Sequence, residues 1–288
     1  MQSFFQNVLT EVLANSQNHS PEKEWYKQIR AELYENLDFG SDTDVRIALE
    51  SIGDIHFPQF NMGKIGVKHL FGLDEIIIFA LYKSRKFRGL AIDLGANLGL
   101  HSIVLSRLGY QVVAYEPDKK HFLRLQENLK LNSVEDVVVM EAAVGTKDGN
   151  QDFIRVIENT TGSHLVGSSG KVPYGEVEVT RVQVINFRRI IDLKPSIIKI
   201  DVEGYEANLI LQLEEEDFES TSYVLEVGNK ENAHQIFEHL KNLKIRAFSQ
   251  KNSWRSLTEV ADVPFSYKEG SLYIPSSVEQ DSINYLPF

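Results

Sequence analysis

The chain of 288 residues is about twice the usual length of one domain, which leaves one large domain with an appendage or two small domains. It carries 30 Lys and Arg against 41 Asp and Glu, and this net charge of −11 disfavours nucleic acid and anionic membranes as partners. It has no cysteine, which excludes disulfides, thiolate zinc sites and cysteine nucleophiles. No run approaches the ~18 apolar residues of a membrane span, and the first residues lack the basic region of a signal peptide. We therefore expect a soluble, cytoplasmic protein.

Residues 1 to about 50 show the pattern of peripheral helices. Apolar residues recur at helical spacing between Phe4 and Leu13, which predicts an amphipathic helix. Ser20-Pro21-Glu22 offers an N-cap, a first-turn proline and an acid, which predicts a second helix that ends near Gly40. Between His56 and Phe71, Pro58 and the glycines favour short strands or a loop. We expect residues 1–72 to form a mainly helical extension that packs on the main domain, caps the substrate cleft or pairs with a second copy.

Residues 73–288 form the predicted main domain. A helix over Leu73–Lys83 leads into an alternation of apolar strands and amphipathic helices, and residues 150–185 look like extended excursions. The predicted strands of the alternation are Leu90–Leu94, Gln111–Glu116, Asp136–Glu141, Ile197–Asp201 and Tyr223–Val227. This rhythm indicates an α/β fold with a mostly parallel, doubly wound sheet. Ligands of such sheets bind at the carboxyl ends of the strands, so we expect the site residues to lie there.

The first strand ends in a glycine-rich turn, Asp93-Leu-Gly-Ala-Asn-Leu-Gly99. Gly95 and Gly99 would let the backbone pass close to a ligand, and the following helix offers free N–H groups. The alternative is a plain tight turn between a strand and a helix. Glu116, which lies 17 residues after Gly99 at the end of the second strand, favours a ligand, because an acid near that distance commonly binds ribose hydroxyls.

The fourth strand carries charges where a central strand should be apolar. Lys199, Asp201 and Glu203 alternate with Ile198, Ile200 and Val202 and are followed by Gly204 and Glu206. Unpaired buried charges cost several kcal/mol each, so these residues need partners or a function. The structural alternative is an ion pair between Lys199 and a carboxylate, with Glu203 and Glu206 at a helix start. Glu226 places another acid in the fifth strand, either at the site or as a paired structural carboxylate.

Asp93-Leu-Gly-Ala-Asn-Leu-Gly99, Tyr115-Glu116-Pro117 and Lys199-Ile-Asp-Val-Glu-Gly-Tyr-Glu206 together resemble the defining motifs of the FkbM family of S-adenosylmethionine-dependent methyltransferases. The resemblance spans roughly residues 88–250, and the third motif is the most family-specific. It implies a Rossmann-like class I methyltransferase sheet that ends in a reversed C-terminal hairpin. It also implies O-methylation of a free hydroxyl on a small molecule or carbohydrate. Residues 1–72 lie outside this family core.

The resemblance also implies roles for individual residues. The methionine part of S-adenosylmethionine (SAM) would be surrounded by Asp93, Gly95, Ala96, Asn97 and Gly99. The ribose would be held by Glu116 with Pro117, and the adenine would be covered by Glu141, Ala142 and Ala143. The reacting centre would be faced by Asp201 and Glu203.

Methylation of an alcohol needs an in-line approach and help with the hydroxyl proton from a base or a metal. Asp201 is the first choice for base or metal ligand, and Glu203 and Glu226 could complete an oxygen-rich site suited to Mg²⁺. His101 and His164 are further candidates for the base or are ordinary hydrogen-bonding residues. The remaining helix-borne histidines, His121, His234 and His239, are predicted to be exposed to solvent.

Two rival functions are weighed against a methyltransferase. A nicotinamide-dependent dehydrogenase or epimerase would carry G-x-G-x-x-G, and Gly95-Ala-Asn-Leu-Gly99 departs from that pattern. A non-catalytic binding or scaffold protein of the same fold would not need Asp93, Glu116 and Asp201, all of which are present.

Overall fold

The computed structural model describes residues 2–37, 44–85, 88–168, 175–266 and 268–280, and it starts with helices and short hairpins. The N-terminal elements are α1 (Gln2–Ala14), α2 (Glu24–Asn36), β1 (Val45–Leu49), β2 (Gly53–Phe57), β3 (Asn61–Met62) and β4 (Ile65–Gly66). The amphipathic helix predicted from Phe4 to Leu13 is confirmed as α1. The predicted helix end near Gly40 lies outside the described residues.

Two expectations for this region were wrong. Val45–Leu49 is a strand, because its side chains alternate between buried and exposed and it pairs antiparallel with β2. The second helix starts at Glu24, because Ser20 is buried and its N–H donates to Ser253 Oγ, which places Pro21 and Glu22 in a turn before the helix.

The next part of the chain alternates strands and helices as predicted. Its elements are α3 (Leu73–Ser84), β5 (Leu90–Leu94), α4 (Leu100–Arg107), β6 (Gln111–Tyr115), α5 (Lys119–Leu131) and β7 (Val137–Met140). The predicted extended excursions form a small sheet and a short helix, namely β8 (Ala143–Gly145), β9 (Gly149–Val156), β10 (His164–Leu165), β11 (Val177–Asn186) and α6 (Phe187–Ile191).

The last part of the chain completes the large sheet. Its elements are β12 (Ile197–Ile200), α7 (Glu206–Ile210), α8 (Asp217–Ser220), β13 (Ser222–Leu225), α9 (Lys230–Asn242), β14 (Phe248–Ser249), β15 (Arg255–Ser256), β16 (Leu272–Ile274) and α10 (Ser277–Gln280).

The large sheet has eight strands in the order β15-β14-β16-β13-β12-β5-β6-β7. The five strands from β13 to β7 are parallel to one another, whereas β16 lies antiparallel between β13 and β14. This arrangement confirms the predicted α/β class, with a mostly parallel doubly wound sheet and a reversed C-terminal hairpin. The strand order reverses between β5 and β12, and this is the place at which such sheets bind ligands.

Apolar side chains cover both faces of the sheet. Neighbouring residues of β12 illustrate this, because Ile197 belongs to the apolar cluster on one face and Ile198 to the cluster on the other. The first cluster also contains Phe5 and Leu9 of α1 together with Ile77 of α3, and α1 packs against α3. The N-terminal segment therefore shares a core with the first half of the sheet and is not peripheral. Among the described helices, none is long and apolar enough to cross a membrane.

Candidate active site

The turn after β5 has a backbone that only glycine can adopt at its first bend. Gly95 has φ +75°, and a Cβ built there would lie 1.8 Å from the carbonyl oxygen of Asp201. The N–H groups of Gly95 and Ala96 both donate to Tyr115 O at 3.0 Å. The turn is thus clamped between the ends of β6 and β12, and a side chain at Gly95 would force the two strand ends apart.

Glu116 fixes the same turn from the end of β6. Its Oε2 accepts a hydrogen bond from Asn97 N at 2.7 Å, and its Oε1 accepts one from Asp118 N at 2.8 Å. Burial raises the pKa of Glu116 to about 8, and the nearby carboxylates of Asp118 and Asp93 act in the same direction, although the two backbone donors oppose the shift. Glu116 is therefore a rigidly held carboxyl group that takes up a proton far more readily than an exposed glutamate.

Lys199 of β12 lies at the centre of the charged residues. It is the register partner of Asp93, and its Nζ lies 3.0 Å from Asp201 Oδ2 and 3.8 Å from Asp93 Oδ1. Burial by itself would lower the pKa of Lys199, but Asp201, Asp93 and Glu75 outweigh it and raise that pKa. The ion pair proposed as the structural alternative is therefore present, and it holds Asp201 at the carboxyl end of β12.

Glu226, just after β13, faces the same group of acids. Burial raises the pKa of its carboxyl group well above the ordinary value, and the carboxylates of Asp201, Glu203 and Glu75 add to this effect. Glu203, two residues after Asp201, has φ +53°, a left-handed conformation that turns the chain away from the strand direction. The two strand ends thus place several carboxyl groups around one ammonium group.

Glu206 has a structural role in the same turn. Its Oε1 accepts hydrogen bonds from Gly204 N at 2.9 Å and Val202 N at 3.2 Å, and its Oε2 accepts one from Asn232 Nδ2 at 2.9 Å. Burial raises the pKa of Glu206 to about 7 despite these donors. Glu206 therefore stabilises the loop between β12 and α7 through its hydrogen bonds.

One cavity of about 1260 Å³ collects most of the predicted site residues. Its lining includes Gly95, Asn97, His101, Glu116, Pro117, Ala142, Ala143, His164, Asp201, Glu203 and Glu226. Four predicted residues, Asp93, Ala96, Gly99 and Glu141, are not part of this lining. Asp93 lies behind it, fully buried, where its Oδ2 accepts a hydrogen bond from Ser102 Oγ at 2.6 Å. Glu141 is exposed to solvent.

His101 is held on both ring nitrogens. Its Nε2 lies 2.6 Å from Glu75 Oε2, and its Nδ1 lies 3.1 Å from the hydroxyl of Tyr82. Burial would raise the pKa of Glu75, but His101 and Lys199 outweigh it and hold that pKa below its ordinary value. Glu75 lines the cavity from the first turn of α3 and was missed from the sequence, because an acid at a helix start is expected there in any protein.

Two of the three further histidines at the cavity, His121 and His164, are buried. His164 lies on β10 with its Nδ1 2.9 Å from Gly162 O. His121 was predicted to be exposed, and this was wrong: the segment Thr160–Gly162 folds over α5, and His121 Nε2 lies 2.8 Å from Thr160 Oγ1. Burial lowers the pKa of His121 to about 4, against the opposing effect of Asp118. Of the other two, His234 is exposed as predicted, whereas His239 is partly buried and contacts Leu213 O.

The N-terminal segment supplies a further wall of the cavity that was not predicted residue by residue. The lining residues of α2 and its approach are Pro21, Tyr26, Lys27, Arg30, Ala31 and Tyr34, and they are joined by Ile65, His69 and Leu70.

Comparison with known families identifies the main domain. The Methyltransferase FkbM domain matches residues 93–251, which is more than half of the chain. The chain belongs to the FkbM methyltransferase family. The matched range begins at Asp93 of the first motif and includes Glu116 and the whole of Lys199–Glu206.

A curated relative matches a shorter part of the chain. It is the hexuronic acid methyltransferase AglP of Haloferax volcanii, which is 25% identical over 122 residues, and the match covers 41% of this chain and 47% of AglP. The chain thus spans about half the length of the curated relative that it matches.

Two solved structures with a similar fold are also methyltransferases. The precorrin-6y C5,15-methyltransferase of Geobacter metallireducens is 13% identical, with a TM-score of 0.38 over 69% of this chain and 84% of that one. A SAM-dependent methyltransferase of Agrobacterium tumefaciens is 9% identical, with a TM-score of 0.41 over 81% of this chain and 70% of that one. Both TM-scores are below 0.5, so neither likeness adds to the family match.

The residues at the turn after β5 fit the cofactor of this family. Asn97 Oδ1 is buried at the cavity without a hydrogen-bond partner among the described residues, which suits the ammonium group of a methionine moiety. Gly95 brings the backbone of this turn to the cavity wall, and Glu116 offers carboxylate oxygens at the end of the neighbouring strand. The apolar side chains of Ala142, Ala143 and Phe153 also line the cavity, and Ala142 follows β7, the neighbour of β6 in the large sheet.

The predicted Mg²⁺ ligands fit less well. Within the described ranges, no group of three or more His, Cys, Asp or Glu is arranged to hold a metal ion. The ammonium group of Lys199, 3.0 Å from Asp201 Oδ2, stands where a cation next to Asp201 would be expected. The described residues around Asp201 therefore do not fit a metal ion.

Proposed function

We propose that this protein is a SAM-dependent O-methyltransferase that methylates a hydroxyl group of a sugar or glycan. The observation that carries the proposal is the convergence of three motifs on one cavity. Three strand ends contribute residues that line the same space. They are the end of β5 with Gly95 and Asn97, the end of β6 with Glu116, and the end of β12 with Asp201 and Glu203. All of them lie within the range that matches the FkbM methyltransferase domain.

When bound, SAM would supply a methyl group on a sulfonium sulfur, and its carbon–sulfur bond would be replaced by a bond from carbon to the acceptor oxygen, with the electron pair left on sulfur. The protein has to hold the acceptor oxygen in line and to take its proton. The cofactor would be held through Asn97, the backbone at Gly95 and the carboxylate of Glu116. Asp93 contributes indirectly, because it supports Lys199 and Ser102 behind the turn.

We assign the proton-accepting role to the carboxyl groups of Asp201 and Glu226. Asp201 is fixed by Lys199, which leaves it able to accept a hydrogen bond from an acceptor hydroxyl in a defined direction. Glu226 has a pKa well above that of an ordinary glutamate, because it is buried and surrounded by like charges, and a raised pKa makes its ionised form a stronger base. Glu203 contributes negative charge that keeps this proton affinity high.

The predicted histidine bases are less suited to the role. Glu75 and Tyr82 engage both ring nitrogens of His101, so His101 orients Glu75 at the cavity wall. His164 lines the cavity but is buried with its Nδ1 directed at Gly162 O.

The name of the relative supports a carbohydrate acceptor. AglP is a hexuronic acid methyltransferase, and its match to this chain, although partial, is consistent with a sugar as the substrate class. The cavity has polar and charged side chains beyond those needed for a cofactor, and polar groups that converge in a cavity are typical of a site for a hydroxylated ligand.

Transfer of radiolabelled methyl groups from SAM to a panel of sugars tests the proposal. Neutral hexoses, hexosamines and hexuronic acids are incubated with wild-type protein and with Asp201→Asn as the inactive control. Label that enters a sugar and resists mild alkali identifies a methyl ether and supports the proposal. Label that mild alkali releases identifies a methyl ester and would move the reaction from a hydroxyl to a carboxylate. No label in any sugar, with SAM bound, would contradict the proposed acceptor class.

A further inference from the structure

The cavity has a cationic wall built from residues outside the family match. Lys27 and Arg30 lie three residues apart on α2 and both line the cavity, whereas the match begins at residue 93. Their function is therefore not given by the family, and the inference below rests on the proposed function.

Arg30 is held in a fixed orientation on this wall. Its Nε and Nη2 donate hydrogen bonds to the hydroxyl of Tyr34 at 3.2 and 3.1 Å, and the guanidinium carbon lies 5.1 Å from the centre of the Tyr34 ring. Both side chains are exposed at the cavity wall. An arginine held in this way loses less conformational entropy when it binds an anion than a free surface arginine does. Lys27, one turn earlier, is exposed and paired with Glu24 Oε1 at 2.6 Å, which is a weak surface contact.

Buried contacts attach α2 firmly to the catalytic domain. The hydroxyl of Tyr26 donates to Asp74 Oδ2 at 2.8 Å, and Gln250 Nε2 donates to the other oxygen of Asp74. Just before α2, Trp254 Nε1 donates to His19 Nδ1 at 2.7 Å in a fully buried contact. These contacts join α2 to the start of α3 and to the segment after β14, so the cationic wall has a fixed position relative to the strand ends.

The two parts of the cavity have opposite charge. Around Lys199, the strand ends and α3 bring together Asp201, Glu203 and Glu75 with the carboxyl group of Glu226, and the acids outnumber the one ammonium group, which disfavours an anion there. The wall of α2 presents Arg30 and Lys27 in a chain whose net charge is −11. An acceptor with an anionic group would therefore bind with that group at α2 and with its hydroxyl groups toward Asp201 and Glu226.

We propose that Arg30, with Lys27 beside it, binds an anionic group of the acceptor, so that the substrate class is an acidic sugar. The anion is a carboxylate or a phosphate, both of which match the donor geometry of a guanidinium group. Tyr34 positions Arg30, and the contacts of Tyr26 position α2.

The test measures binding and transfer with three probes, D-glucuronic acid, glucose 1-phosphate and glucose. The variants are Arg30→Gln, Lys27→Gln and, as the matched control, Lys23→Gln, which removes a positive charge just before α2 from a residue that does not line the cavity. Binding is measured by titrating each probe into protein saturated with S-adenosylhomocysteine, so that the result does not depend on turnover.

In Arg30→Gln we expect the affinity for the acidic probes to fall about 10- to 100-fold, which is the usual loss for a hydrogen bond between charged groups. Lys27→Gln should lower it less, and Lys23→Gln should leave it within twofold.

The comparison between probes separates the outcomes. A loss confined to glucuronic acid identifies a carboxylate site, a loss confined to glucose 1-phosphate identifies a phosphate site, and both support the inference. Where a probe is methylated, Arg30→Gln should raise its KM while kcat stays within twofold of the wild-type value. Arg30→Lys should restore part of the lost affinity. Equal affinity of wild type and Arg30→Gln for both acidic probes would overturn the inference, as would binding of neither probe by wild type. Failure of S-adenosylhomocysteine to bind wild type would instead contradict the proposed function.

Discussion

The two ends of the cavity are built in different ways. At the proposed cofactor end, short motifs at strand ends place Gly95, Glu116 and Asp201 side by side through the parallel register of β6, β5 and β12. At the proposed acceptor end, α2 is placed by contacts between residues far apart in the chain, such as Tyr26 with Asp74. The first end lies within the family match and the second lies outside it.

Under the proposed function, this difference would separate the chemistry from the choice of acceptor. The residues around Lys199 are placed by the sheet, whereas α2 lies outside the family match. We therefore expect substitutions at the strand ends to affect transfer or cofactor binding, and substitutions on α2 to affect acceptor binding and leave cofactor binding unchanged.

The largest effect is expected from Asp201→Asn. Asp201 is proposed to accept the proton of the acceptor hydroxyl beside Lys199. Removal of its carboxylate should therefore lower kcat by about 10²- to 10⁴-fold. The affinity for S-adenosylhomocysteine should stay within threefold in a calorimetric titration. Glu226→Gln should also lower kcat. Full activity in both variants would refute the assignment of Asp201 and Glu226 as the proton acceptors.

Gly95→Ala should destabilise the protein by about 3 kcal/mol or prevent its accumulation, because the backbone there has a positive φ and the new Cβ would meet the carbonyl oxygen of Asp201. Thermal and urea unfolding measure the loss. Gly66→Ala is the matched control, since no atom lies within 4 Å of a Cβ at that position. Equal stability of the two variants would show that the turn is not clamped against β12 as described.

Glu116→Ala should weaken S-adenosylhomocysteine binding by about 10- to 100-fold while the fold is retained, because two hydroxyls of the ribose lose a charged acceptor. Calorimetric titration provides the affinity, and circular dichroism checks the fold. An unchanged affinity would remove Glu116 from the ribose role.

The pH dependence of binding sharpens the same assignment. Ribose hydroxyls donate to a carboxylate, so the ionised form of Glu116 is the binding form, and its pKa of about 8 keeps much of it protonated at neutral pH. The affinity of wild type for S-adenosylhomocysteine should therefore rise as pH increases from 6 toward 8 and level off above it. Binding should also release protons, seen as a dependence of the binding enthalpy on the buffer, and both effects should disappear in Glu116→Gln.

The smallest effect is expected from Tyr26→Phe, which removes one hydrogen bond to the buried carboxyl group of Asp74. Burial raises the pKa of Asp74 to about 6, and Tyr26 helps to stabilise its ionised form. We expect a loss of about 1–2 kcal/mol in unfolding free energy and a higher KM for the acceptor, with cofactor affinity unchanged. Gln28→Ala, on the exposed side of α2, is the control. Weakened cofactor binding in Tyr26→Phe would contradict the separation of the two ends.

The sequence predicted the sheet and the cofactor end because their signals are local. Apolar runs marked each parallel strand, and the acids and glycines followed directly after them, so topology alone brought Gly95, Glu116 and Asp201 together. The charges of the fourth strand were also informative, since Lys199 does pair with a carboxylate, as the structural alternative had it.

The rest depends on contacts that no short segment reveals. Val45–Leu49 was interpreted as helical because its alternation is visible only once it packs against α1. His121 was expected to be exposed because nothing in α5 shows that Thr160 covers it. Glu75 and Arg30 each lie on ordinary helices, and only the packing of α2 and α3 beside the strand ends brings them to the cavity.

Calorimetric titration with S-adenosylhomocysteine, with and without Mg²⁺ and with NAD as the control, tests the central claim most directly. We predict saturable binding to S-adenosylhomocysteine that is the same with and without Mg²⁺, and no binding to NAD. Binding to NAD alone, or to neither compound, would contradict the assignment of this cavity to SAM.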